Sequence, residues 1–126
     1  MKNSNIIADF YSGILDVKFL DGANISADDI KDIYVFGSTR SEGKPFCIMF
    51  EALGKYELTE DAVHYMAHNP SNKNILTKVY IVNSKEAETK NKLHMLFDKP
   101  ELIPHTFKSA EEGIRYLEEF INRRIK

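Results

Sequence analysis

The sequence has few of the features that mark secreted or membrane-spanning proteins. Cys47 is the one cysteine among 126 residues, so no internal disulfide can form. No stretch approaches the length that spans a membrane, and residues 1–11 lack the long apolar core of a secretion signal. We therefore expect a cytoplasmic protein without a membrane span.

Neither sign of charge dominates the chain. There are 17 Lys and Arg residues against 19 Asp and Glu residues, and both signs are mixed along the sequence. The one basic cluster is Arg123-Arg124-Ile125-Lys126, which we interpret as favourable charge at a helix C-terminus. A nucleic-acid surface needs many cations on one face, so we expect no nucleic-acid partner.

Motifs for catalysis and metal binding are also missing. No G-x-S-x-G elbow occurs, and the glycine-bearing segment 37–43 lacks the lysine spacing of a phosphate-binding loop. His64 and His68 have the H-x-x-x-H spacing found in zinc sites, but no cysteine pattern supplies further ligands, so we interpret both as solvated surface residues. We expect no enzyme activity, no cofactor and no metal.

Length and composition predict one domain over residues 1–126. Apolar residues make up 43% of the chain and charged residues 29%, with no repeat, low-complexity tract or linker. A chain of this size can bury one core and leaves little material for a second.

The first twenty residues have the pattern of a hairpin. Residues 6–11 and 14–20 read as two strands, and Ser12-Gly13 between them predicts a tight turn. In the second strand Asp16 and Lys18 alternate with apolar residues, which predicts one solvent-exposed face.

Helix and strand signals alternate through the rest of the chain. We predict helices over 27–35, 60–68, 85–97 and from 110 onward, strands over 45–51, 76–82 and 105–107, and loops over 37–44 and 52–58. The apolar runs 46–50 and 79–82 are typical of strands buried on both faces, and a helical crossover makes them parallel neighbours. The prediction is a mixed α/β sheet of about five strands with four helices, in the order β-β-α-β-α-β-α-β-α.

One edge of the predicted sheet is where a binding site would lie. Partners of open α/β sheets favour the carboxyl ends of the parallel strands. Thr59, Ser84 and Ser109 have the positions of N-caps there, so each is a candidate for partner binding or phosphorylation, and the alternative is that each is simply a helix cap. The other rim candidates are Glu57, Leu58 and Glu60.

Four strings of core and cap residues, together with the order of elements, carry a resemblance over nearly the whole chain. They are Gly43-Lys-Pro-Phe-Cys-Ile-Met49, Tyr56-Glu-Leu-Thr-Glu-Asp-Ala62, Phe97-Asp-Lys-Pro100 and Thr106-Phe107-Lys-Ser-Ala-Glu-Glu-Gly-Ile-Arg-Tyr-Leu117. The chain resembles the STAS/anti-sigma-factor-antagonist-like proteins of bacteria, especially the short stand-alone members.

This resemblance implies a non-enzymatic regulatory module with a protein partner such as an anti-sigma or kinase-like regulator. In classical members of the family, a D-x-S-G motif at the start of the helix after the third strand carries a phosphorylatable serine, where a kinase-type anti-sigma partner docks. Thr59 falls at that position here, with Glu57 in place of the aspartate and Glu60 in place of the glycine, so the motif itself is absent.

Two further hypotheses remain beside this one. Because STAS-like domains are grouped with lipid-transfer domains, the alternative function is a small-molecule or lipid-binding carrier, which would need an apolar cavity. The opening hairpin also leaves an edge strand on the sheet, which makes a homodimer a reasonable hypothesis.

Overall fold

The first two strands form a tight hairpin, as their alternation and turn residues predict. β1 (Ile6–Tyr11) pairs antiparallel with β2 (Ile14–Phe19). The turn requires positive φ angles at both central residues, 52° at Ser12 and 80° at Gly13, as in a type I′ turn.

The computed structural model describes residues 1–68, 73–97 and 104–125, without the side chains of residues 91, 93–97 and 125.

The remaining elements follow the predicted alternation, with two short strands added. In chain order they are β3 (Ala23–Ile25), α1 (Ala27–Arg40), β4 (Phe46–Ala52), β5 (Tyr56–Leu58), α2 (Glu60–His68), β6 (Ile75–Ile81), α3 (Lys85–Phe97), β7 (His105–Phe107) and α4 (Ala110–Ile125). The expected mixed α/β sheet with four helices is confirmed.

The main sheet has five strands in the order β1-β2-β4-β6-β7. β2, β4, β6 and β7 are parallel neighbours, with Met49 opposite Val79 and Phe50 opposite Tyr80 in the central pair. The prediction that the two apolar runs lie side by side in the same direction is therefore confirmed. Since a helix returns along the sheet after each of these strands, the helices begin near the strands' carboxyl ends.

Helices cover both faces of the sheet. On one face Ile30, Ile33 and Met66 from α1 and α2 pack against strand residues such as Ile48. On the other face Leu117 of α4 packs in a second cluster whose strand members are Ile14, Cys47, Met49, Val79 and Ile81. Burying each large apolar side chain contributes about 1.5–3 kcal/mol, so two covered faces account for most of the stabilisation.

The prediction that the second strand, β2, has a solvent-exposed face is wrong. Asp16 is buried, and its carboxylate accepts hydrogen bonds from the Tyr11 hydroxyl (2.9 Å) and from Lys18 Nζ (3.3 Å). Residues on both faces of β2 are buried, and Lys18 alone in the strand is half-buried. The charged residues in this strand form a paired network, because a buried carboxylate requires partners.

The predicted end of the first helix at residue 35 is also wrong, since α1 continues to Arg40. Its start is as expected: Ser26 and Asp29 form a capping box. Gly37 lies in the predicted loop, but the structure has it on the buried side of the helix, where a Cβ atom would be 2.8 Å from Leu15 and Phe46. Close packing on the sheet therefore extends the helix through a residue of low helix propensity.

The predicted loop over residues 52–58 contains a strand. β5 pairs in parallel with β3, with Asn24 opposite Glu57, and the two form a separate small sheet. Both strands are three residues long, too short for a periodic pattern to identify.

The outer edge of β1 is partly paired within the chain. Lys2 bridges Ile7, and the Ala8 amide donates to the Met1 carbonyl at 2.8 Å. This pairing occupies part of the edge that a second copy would use, and the homodimer stays a hypothesis.

Gly37→Ala tests whether close packing, and not helix propensity, determines which residue is favoured at position 37. In an exposed helix the change would stabilise by about 1 kcal/mol. Here we expect the free energy of unfolding to fall by about 1–3 kcal/mol, because Leu15 and Phe46 must move to admit the methyl group. Urea titrations measure the free energy of unfolding, with Thr39→Ala on the exposed side of α1 as the control. A more stable Gly37→Ala protein would contradict this packing.

Buried tyrosines and the buried thiol predict loss of stability at alkaline pH. Burial raises the pKa of Tyr34 and Tyr80 above the ordinary tyrosine value, and raises the pKa of Cys47 to about 11. The unfolded chain ionises such groups from about pH 8.5 to pH 10, while the native state keeps them protonated. The native state then binds more protons, so this contribution is complete at neutral pH and is lost as the pH rises.

We expect the free energy of unfolding to decline above about pH 9, by up to about 1.4 kcal/mol per pH unit for each such group. Tyr34→Phe should make the decline shallower. The buried Tyr34 hydroxyl has no hydrogen-bond partner among the described residues, so the variant should be at least as stable as the parent at pH 7. Urea titrations at each pH measure both effects, and an equally steep decline in the variant would be the contrary result.

Candidate functional site

Four connections meet at one end of the main sheet. We call this end the carboxyl edge and define it by the last residues of the parallel strands: Phe19, Ala52, Ile81 and Phe107. Backbone hydrogen bonds hold neighbouring connections together there, from Leu53 to the Phe19 carbonyl (2.8 Å) and from Val82 to the Phe107 carbonyl (2.7 Å). The edge is therefore a fixed surface on which side chains from distant parts of the chain lie together.

The three predicted cap residues are caps at this edge. Thr59 Oγ1 accepts from the Ala62 amide and Ser84 Oγ from the Ala87 amide, each at 3.1 Å. Ser109 Oγ accepts from the Glu112 amide at 3.2 Å and donates to the Glu112 carboxylate at 3.1 Å. Thr59 and Ser84 are exposed, whereas Ser109 is half-buried.

The predicted rim residues differ in accessibility. Glu57 and Glu60 are exposed, as a partner surface requires. Leu58 is half-buried and packs against the core cluster under α1 and α2. The structure thus brings the two glutamates to the rim and directs Leu58 inward.

Lys90 joins α3 to β5. Its Nζ atom donates to the Tyr56 carbonyl oxygen and lies 3.5 Å from Glu57 Oε1 and 3.4 Å from Glu86 Oε1. The same ammonium stands 4.3 Å from the centre of the Tyr56 ring, within the range of a cation–π contact. Only 18% of the Lys90 side chain is exposed, so these contacts form in partly desolvated surroundings and fix the start of α3 against β5.

A cleft of about 640 Å³ opens between the β4–β5 connection and the start of α3. We call it the edge cleft. Its lining residues are Asp21, Ala52, Leu53, Gly54, Lys55, Tyr56, Asn83, Ser84, Glu86 and Ala87. The volume lies in the range of small-molecule sites, about 300–1,000 Å³, but charged and polar side chains make up much of the wall.

Asp21 sets the shape of one wall. Its carboxylate accepts from the Lys55 amide at 2.9 Å, and the Gly22 amide donates to the Lys55 carbonyl at 2.6 Å. A Cβ atom on Gly54 would be 2.3 Å from Asp21 Oδ1. Glycine at position 54 therefore allows the aspartate to approach the loop backbone closely.

Tyr56 presents a neutral ring to the cleft. Burial raises its pKa above the ordinary value, and the negative charges of Glu86 and Glu57 raise that pKa further. The phenol consequently stays protonated at physiological pH, and its ring face remains an electron-rich surface for a cation.

Other candidate groups lie away from this edge. The His64 and His68 rings are 4.8 Å apart on α2, and among the described residues no group of three or more His, Cys, Asp or Glu side chains could hold a metal ion. The raised pKa of the buried Cys47 keeps its thiol protonated and unreactive at neutral pH. No described helix is both long and apolar enough to cross a membrane.

Sequence reasoning missed most of the cleft. Asp21, Leu53 and Tyr56 lie in segments that the sequence predicts as turn or loop, and Lys90 lies within a predicted helix. One signal was available, since Glu86 and Lys90 have the i,i+4 spacing of a helical ion pair. The contact from Lys90 to Tyr56, thirty-four residues away, leaves no local pattern.

A comparison with solved structures identifies the fold. The crystal structure of an uncharacterized protein from the DUF3478 family with a SpoIIAA-like fold, from Shewanella loihica, matches with a TM-score of 0.51 and 12% identity. The match covers 93% of this chain and 98% of that one. The fold is thus SpoIIAA-like, and the STAS-type fold that the sequence resemblance implied is confirmed.

A comparison with protein families identifies the family. The family described as Domain of unknown function (DUF7793) matches residues 8–121, and the chain belongs to it. A search of the curated proteins finds no match.

Lys90→Met tests the link between β5 and α3. Loss of the ammonium leaves the Tyr56 carbonyl without this donor, so we expect the free energy of unfolding to fall by about 1–2 kcal/mol. Amide NMR signals of residues 55–58 and 84–87 should shift together.

Lys92→Met is the matched control on the same helix. The Lys92 side chain is 74% exposed and pairs only with Glu88 among the described residues, so its loss should change stability by no more than about 0.5 kcal/mol. Equal effects of the two variants would mean that Lys90 does not couple the elements.

Proposed function

We propose that this protein is a non-enzymatic regulatory module, of the anti-sigma-factor-antagonist type, that binds a protein partner through the carboxyl edge near Thr59 and Ser84. The observation that carries the proposal is a convergence at one cleft: Ser84 lines it with Leu53, an apolar side chain that is 51% exposed, and Lys90 joins α3 to β5, the strand that ends just before Thr59. Parallel pairing of β4 and β6 produces this convergence. An anti-sigma or kinase-like regulator is the class of partner that the sequence resemblance implies.

The lining of the edge cleft favours this function over a lipid carrier. A carrier of acyl chains needs an enclosed apolar cavity. The walls of the edge cleft include Asp21, Lys55 and Glu86, which would lose hydration against a hydrocarbon chain without gaining partners. An exposed leucine beside polar side chains fits the combination of an apolar core and a polar rim that protein interfaces have.

The two exposed caps differ as acceptors of a regulatory phosphate. Phosphate on Thr59 would face Glu57, Glu60 and Asp61, which repel it. Ser84 precedes Lys85 and lines the same cleft as Lys55, with Glu86 as the nearest carboxylate in sequence. We therefore assign any phosphate switch of this module to Ser84.

Photo-crosslinking tests the partner surface. p-Benzoylphenylalanine is placed at Leu53 in one strain of the source organism and at Val35, which is 64% exposed on α1, in a second strain. We expect ultraviolet light to join a distinct protein to the Leu53 variant and not to the Val35 variant. Tandem mass spectra of the recovered protein also report phosphate, expected on Ser84 and not on Thr59.

Two outcomes would count against this function, and a third would change only the assignment of the phosphate. A crosslink at Val35 and none at Leu53 would place the interface elsewhere. Lipid bound stoichiometrically in native mass spectra, without a crosslinked protein, would favour the carrier. Phosphate on Thr59 alone would remove the assignment to Ser84 and leave the binding surface as proposed.

A further inference from the structure

One side of α2 brings two histidine side chains together. His64 and His68 are four residues apart, the spacing that places side chains on neighbouring turns of a helix side by side. His64 is exposed and His68 is half-buried, so solvent reaches both residues. The spacing alone does not decide whether the two rings approach each other, because each side chain has several rotamers.

The separation of the two rings is the one that a shared metal ion requires. Zinc bound to a ring nitrogen at its usual distance lies about 3.2 Å from the ring centre. Two rings at right angles around one ion then have their centres about 4.5 Å apart, and two rings at the tetrahedral angle about 5.2 Å apart. The centres of the His64 and His68 rings are 4.8 Å apart, between these two values.

The relative tilt of the two rings also permits a shared ion. A ring nitrogen directs its lone pair within the plane of its own ring, so an ion bound by both rings must lie where the two planes meet. Rings stacked face to face have parallel planes that never meet, whereas the planes of His64 and His68 are inclined at 45°. The structure thus adds to the sequence spacing a ring geometry that is suitable for chelation.

Nitrogen ligation, and not attraction of charge, would hold the ion. The buried Lys78 ammonium donates to the Met66 carbonyl at 2.7 Å, so a positive charge is already present near this end of α2. Each imidazole has two nitrogens, and a ligating histidine commonly donates its other ring N–H to a protein acceptor or to water. Coordination is therefore compatible with other contacts of the two histidines.

We propose that His64 and His68 bind a divalent transition-metal ion of the Zn²⁺, Ni²⁺ or Cu²⁺ class as a two-nitrogen chelate. Imidazole suits these ions, whereas Mg²⁺ and Ca²⁺ prefer oxygen ligands. Within the described part of the chain no third His, Cys, Asp or Glu side chain completes the site, so water fills the other coordination positions. Neither histidine lines the edge cleft, and the site is independent of the proposed partner function.

A zinc titration tests the chelate. Zn²⁺ is added to ¹⁵N-labelled full-length protein without a histidine tag, in a buffer that does not bind metal ions, and amide spectra are recorded. We expect one ion to bind per chain, with the largest shifts at residues 61–68. Mg²⁺ at about ten times the highest Zn²⁺ concentration should leave the spectra unchanged, and Cu²⁺ should bind more tightly than Zn²⁺.

Single histidine variants separate chelation from binding by one surface ring. In His64→Gln and in His68→Gln one imidazole remains. We expect the Kd for Zn²⁺ to rise about ten-fold or more in each, because the second ligand of a chelate acts at a high effective concentration. His105→Gln removes an exposed histidine from β7 and should leave the Kd unchanged. Circular dichroism verifies that each variant is folded.

Three results would overturn the chelate. Equal Zn²⁺ affinity in the parent and in both single variants would mean an adventitious ion on one ring. Shifts centred away from α2 would place the ion elsewhere. No shift with Zn²⁺ up to about 1 mM would mean that the two rings do not act together.

Discussion

The parallel pairing of the central strands is the constraint on which the rest of this structure depends. β2, β4, β6 and β7 point the same way, so each connection that follows them emerges at the same end. The caps Thr59, Ser84 and Ser109 are far apart in sequence, and only this pairing brings them to one edge. One reversed strand would send a helix start to the opposite end and divide the candidate site.

The same constraint sorts the charges of the molecule. Each of the four described helices has two acidic residues in its first turn, where the helix dipole favours them, and α1 and α4 have arginines in their last turns. Because the helices start near the carboxyl edge, these capping preferences place acidic residues there, beside the cations Lys55, Lys85 and Lys90.

The sequence was sufficient to predict the features that local interactions control. The α2 helix could be predicted to the residue, because Thr59 caps it and an acidic pair follows. What could not be predicted depends on tertiary contact: Gly37 in a helix against Leu15, Asp16 buried beside Tyr11, and β5 paired with β3. The candidate caps were accessible to sequence reasoning, whereas the cleft beside them required the fold.

The charges around Thr59 give the absence of the D-x-S-G motif a physical consequence. Where that motif occurs, a serine at the start of the helix can take a phosphate. Here Thr59 stands among Glu57, Glu60 and Asp61, so this helix start repels anions. Acceptor groups instead surround Lys90 and line the neighbouring cleft, where α3 meets β5. The charges beside Thr59, and not the fold, therefore distinguish this helix start from one that carries the motif.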